Sequence, residues 1–192
     1  MKPRKHKKLQ IIITSQYQLK CLLLKSNKTI QQEITIDNET YEYEPIITFQ
    51  PNNIIFFQET EQSIHFMKEW MEIPSDFKYY RISYQQKQYS VIAEVLFALI
   101  FNQFKKHIEK EWIIDKTFVQ IPTEDPLALN RIKVALDSIG LKGIKLNKTP
   151  YFDYTKQGKI LRFLLEQFET QSKFQRKIQK AKQHVPVEKQ HL

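Results

Sequence analysis

Glycine is nearly absent from this chain. Only Gly140, Gly143 and Gly158 occur in 192 residues, where average usage would give about thirteen. A loop that wraps a pyrophosphate needs left-handed backbone positions and close main-chain approach, and glycine supplies both. Neither a Walker pattern nor a dinucleotide fingerprint occurs. The chain is therefore expected not to hydrolyse a nucleotide by itself.

The length suits one well-buried core rather than two full domains. Hydrophobic residues make up 41%, enough to close such a core. The single Cys21 excludes an internal disulfide, and its place in the run Cys21-Leu22-Leu23-Leu24 predicts a buried, inert thiol. No apolar stretch approaches the roughly 20 residues that span a bilayer. The basic start, Lys2 to Lys8, is followed only by Ile11-Ile12-Ile13, too short for a signal-peptide core. A cytoplasmic protein is expected, with the nucleus as the alternative. In that setting the Asn-x-Thr sequons at Asn27, Asn38 and Asn147 carry little weight.

The net charge of +9 is concentrated at the ends. Residues 1–8 carry five basic groups and no acid, and residues 156–192 carry a net +6, leaving −2 for everything between. This divides the chain into a basic tail over 1–8, an α/β domain over 9–155, a basic helix over 156–183 and a frayed tail over 184–192.

Hydrophobic periodicity fills in the middle. Residues 9–14 and 19–25 read as the strands of a hairpin, followed by strands over 30–36 and 45–49 with a turn at Asp37-Asn38. Pro51-Asn52-Asn53 signals a turn before a buried strand at 54–57. Ile64, Met67 and Met71 stand at helical spacing and predict a helix over 60–71, broken at Pro74. A strand is expected over 78–84. Ser90 then caps a helix over 91–111 whose apolar stripe runs from Val91 to Ile108. A strand at 117–121, a helix at about 126–139 closed by Gly140, a short strand at 143–146 and a last helix over 157–182 complete the order. The class is α/β, with a mixed sheet and packing helices.

Several strings recur in an order that resembles the first ATPase lobe of the 70-kilodalton heat-shock chaperone family. They are Pro45-Ile46-Ile47-Thr48-Phe49, Tyr89-Ser90-Val91-Ile92-Ala93-Glu94, Phe118-Val119-Gln120-Ile121-Pro122, and Ala135 with Gly140-Leu141. The resemblance covers roughly residues 9 to 155. It implies one lobe of the actin, sugar-kinase and heat-shock ATPase fold, which is ribonuclease H-like. It also implies a first phosphate loop at the turn of the opening hairpin. There the family's I-D-L-G-T-T-x-S stands against Ile13-Thr14-Ser15-Gln16-Tyr17-Gln18-Leu19-Lys20. Its acid falls on Thr14, its glycine on Gln16 and its first threonine on Tyr17. Thr14, Ser15, Gln16 and Tyr17 thus mark a degenerate, inactive nucleotide site, with no cofactor expected and Mg-ATP only if the loop still binds. The family's N-E-P-T turn becomes Asn147-Lys148-Thr149-Pro150, and the second phosphate loop and lobe are not expected in this chain. The resemblance implies a non-hydrolysing protein whose partners are chaperone-related proteins or polypeptides.

The other candidates are weaker. The five histidines are scattered, so no metal site is expected, and His65 and His107 read as surface or boundary residues on helices. Glu124-Asp125 reads as charge complementing a helix N-terminus, with Thr123 as cap. Lys173, Arg176, Lys177, Lys180 and Lys182 cluster around Phe174 on the last helix, and the basic N-terminus adds to the same field. That surface gives the alternative function, attraction of nucleic acid or of an acidic protein through charge.

Overall fold

The computed structural model describes residues 5–25, 30–36, 41–141 and 154–183. Along the chain run β1 (Lys5–Ile13), β2 (Leu19–Leu24), β3 (Ile30–Glu33), β4 (Ile46–Gln50), β5 (Asn53–Phe56), β6 (Ile64–His65), α1 (Met67–Glu72), β7 (Tyr79–Tyr84), β8 (Lys87–Ile92), α2 (Ala93–Ile108), β9 (Trp112–Gln120), α3 (Pro126–Ser138) and α4 (Tyr154–Gln183). The turn expected at Asp37-Asn38, the strand at 143–146, the turn at 147–150 and the tail at 184–192 lie outside the described residues.

The expected α/β class with a mixed sheet is present. The main sheet has the order β3-β2-β1-β9. β1 and β2 form the expected hairpin, with Ile11 opposite Cys21, while β9 lies parallel to β1 with Ile11 opposite Val119. Leu9, Ile11 and Ile13 are buried and the residues between them only half-buried, as a period of two requires. The first strand begins earlier than its apolar run. Lys5 to Lys8 belong to β1 rather than to a tail, and they pair with Trp112 to Lys116 across a bulge that leaves Asp115 unopposed. Lys7 Nζ lies 5.0 Å above the Trp112 ring, a cation–π contact that lets a lysine line this end of the sheet.

A second sheet has the order β5-β4-β6. The helix expected over 60–71 forms only over its last turn and a half. Thr60 and Ser63 spend their hydroxyls on each other and on Thr48, at 2.9 Å for Thr48 to Thr60 and 3.1 Å for Thr48 to Ser63. Short polar side chains bonded in this way compete with helix formation. His65 consequently stands on β6, not on a helix.

α2 begins at Ala93 because β8 runs directly into it. The helix N-cap is Ile92, and Ser90, expected to cap, remains in the strand. A residue from far along the chain holds this junction: Gln157 Oε1 accepts from Ile92 N at 3.1 Å while Gln157 Nε2 donates to the Ser90 carbonyl at 3.1 Å. Residues 93–102 of α2 are buried on every side, so the helix is an internal axle rather than a one-faced cover. Phe97, Phe101 and Phe104 on this axle continue into Trp70 at one end and into Tyr43 and Phe57 at the other. Asp125 caps α3 by accepting from Leu127 N at 2.8 Å, with Thr123 in turn bonding Asp125 N at 3.2 Å. Gly140, at φ 76°, closes α3 as expected.

Candidate functional site

The turn between β1 and β2 is built from Ser15, Gln16 and Tyr17. Tyr17 N donates to the Thr14 carbonyl at 2.9 Å and Thr14 N to the Gln18 carbonyl at 2.9 Å. Tyr17 takes φ 62°, the left-handed position that closes a three-residue hairpin loop. The residue in a glycine-like conformation is thus Tyr17, one place beyond the Gln16 that the resemblance matched to the family's glycine. Ser15 and Gln16 are exposed, and the Ser15 hydroxyl donates to Gln16 Oε1 at 3.0 Å.

A phosphate cradle works by pointing unspent backbone amides at the anion. In this turn the amides of Thr14, Tyr17 and Gln18 are consumed internally, the last by Thr14 Oγ1 at 3.2 Å. The Tyr17 hydroxyl donates to Glu72 Oε1 at 2.8 Å, tying the loop to the end of α1. That hydrogen bond is the main reason the Tyr17 phenol titrates above its ordinary value, with desolvation and the Glu72 charge adding to it. A groove of about 250 Å³ opens beside the turn, lined by Gln16, Tyr17, Glu44, Ile46, His65 and Lys68.

His65 brings a second group to this groove. Its Nδ1 lies 3.4 Å from Glu44 Oε1 and its Nε2 3.1 Å from Glu59 Oε1, and all three side chains are exposed. Glu44 precedes β4, Glu59 follows β5 and His65 ends β6, so three separate segments converge. The Ile46–His65 register of β4 and β6 and the hydroxyl network of Thr48, Thr60 and Ser63 fix their spacing. Sequence spacing gives no sign of this cluster, because its members meet only through the pairing of β4 with β6.

A buried ion pair joins α2 to α3. Arg131 and Glu94 are 1% and 3% exposed. The Arg131 guanidinium grips Glu94 through both Nε and NH2, the second at 2.8 Å. NH1 donates to the carbonyls of Pro74 and Asp76 at 2.9 and 3.1 Å, and Tyr154 Oη donates to Glu94 at 3.3 Å. Trp70 and Phe77 flank the guanidinium. Glu94 thus joins α2, α3 and α4 through three hydrogen bonds.

The basic cluster falls on α4. Lys173 and Lys177 are exposed; Arg176, Lys180 and Lys182 lie within the same helix, their side chains outside the described residues. Among the described residues the last contacts from α4 to the body are made by Phe168, against Phe56 and Lys106, and by Glu169 with Lys106. Lys5, Lys7 and Lys8 of the basic N-terminus are held in β1. No helix among the described residues is long and apolar enough to cross a membrane. Compared with the models of known protein families and with curated proteins, the chain matches none of them.

Proposed function

We propose that the chain is a non-hydrolysing binding module on a frame like one heat-shock ATPase lobe, acting on chaperone-related proteins or polypeptides rather than on nucleotide. The observation that carries this reading is the state of the 14–17 turn. The amides of Thr14 and Tyr17 are spent on carbonyls of the turn itself, and the Tyr17 hydroxyl is fastened to Glu72. The carboxylates of Glu44 and Glu72 beside the turn add repulsion toward any anion. The mixed sheet supports the same frame, since β1, β2 and β3 form an antiparallel meander and β9 returns parallel to β1. Isothermal titration with Mg-ATP tests the proposal. No saturable heat is expected, and micromolar affinity would overturn the reading of residues 14–17.

A second reading is favoured by one feature of α4. The helix continues for more than a dozen residues past Glu169 and carries five basic residues there and no acid. Such a segment attracts a polyanion through counterion release. In a salt-titrated shift assay, binding of nucleic acid should weaken steeply with salt and vanish on deletion of 171–192. Binding that survives the deletion sinks the idea, and selective capture of an acidic protein would redirect it.

A further inference from the structure

We propose that Glu44, Glu59 and His65 form a binding site for a divalent transition-metal ion. The donor set is one imidazole and two carboxylates, a combination suited to zinc and its first-row neighbours. One ligand atom from each residue lies within 4.8 Å of the other two. Metal–ligand bonds of about 2.1 Å at a tetrahedral angle place neighbouring donors about 3.4 Å apart. The 3.1 Å from His65 Nε2 to Glu59 Oε1 is close to that edge. The two carboxylates at present address opposite ring nitrogens. An ion on Nε2 takes Glu59 as it stands and draws in Glu44 by rotation of an exposed side chain.

Electrostatics favours the same occupant. Two carboxylates are held close together, and the imidazole between them offsets their charge only when protonated. A divalent cation neutralises both with the ring uncharged, the form in which histidine ligates metal. The groove beside Glu44 and His65 leaves room for water or a small ligand on the remaining coordination positions. This site does not depend on whether the chain binds nucleotide, polypeptide or nucleic acid.

Zinc titration of the full chain by calorimetry is the test, with far-UV circular dichroism confirming that the variants fold. Saturable binding of one equivalent is expected at the site. His65→Ala and the double variant Glu44→Gln/Glu59→Gln should each weaken it by at least about tenfold. His6→Ala, which removes a second histidine paired with a carboxylate among the described residues, should leave it unchanged. Manganese should broaden the ring resonances of His65 selectively. Absence of zinc binding, or an affinity that His65→Ala does not alter, overturns the proposal.

Discussion

Among the described residues, four adopt the left-handed backbone region without being glycine: Tyr17, Phe57, Gln85 and Gln86. For a residue with a Cβ this costs roughly 1–2 kcal/mol, so each position must be held by something else. Gln85 shows how. Its amide donates to the Pro51 carbonyl at 2.7 Å and its side chain to Gln167 Oε1 at 2.9 Å, pinning the β7–β8 corner to the β4–β5 turn and to α4. Gln86 is exposed beside it, at the second position of a two-residue turn where glycine is strongly preferred. Gln86→Gly should therefore stabilise the protein by about 1 kcal/mol and raise Tm by about 2–4 °C in a thermal melt. An unchanged or lower Tm would show that Gln86 is not strained. The same comparison explains what glycine scarcity does and does not reveal. It argues against a phosphate cradle at the hairpin loop, but gives no sign that a tyrosine would take the left-handed place. Tyr17 does so by bonding Glu72, a partner 55 residues away.

Packing of α3 against α2 rests on Arg131. One guanidinium binds Glu94 on α2 and the carbonyls of Pro74 and Asp76 in the α1–β7 connection. Removing one member of a buried pair strands the other charge, which costs about 3–5 kcal/mol. Arg131→Ala should lose that much in denaturant unfolding, and a loss below 1 kcal/mol would mean that the pair behaves as a surface bridge. Elements with a local cause are legible from sequence. The β1–β2 hairpin, the end of α3 at Gly140 and the 3.6-residue pattern of α2 fall where periodicity puts them. The misplaced elements have non-local causes. The 60–71 helix yields its first part to hydroxyls shared with Thr48, and the start of α2 is set by Gln157, 65 residues further on. Lys5 to Lys8 look like a tail until β9 is there to pair with them. The cluster of Glu44, Glu59 and His65 is illegible for the same reason, since the β4–β6 register and the hydroxyls around Thr48 assemble it.

At the scale of the molecule, one continuous core joins the three sheets through α2, from Leu9 in β1 to Leu164 in α4. Cys21 lies inside it with no exposure, and burial raises its thiol well above the ordinary range, so it is both inaccessible and protonated. Its labelling by a thiol reagent should then require global unfolding. The labelling rate should rise as denaturant lowers stability, with the same slope as equilibrium unfolding. A flatter slope at low denaturant would show that the β1–β3 meander opens alone.

The Gln157 clamp has a mechanical consequence. Its single amide side chain, 4% exposed, holds α4 to the point where strand β8 becomes helix α2. Tension on the far end of α4 would reach Glu169, Phe168 and Gln167 first, so their contacts with Lys106, Phe56 and Gln85 shield the clamp. Only after those part would a pull on the basic helix arrive at the junction of β8 and α2.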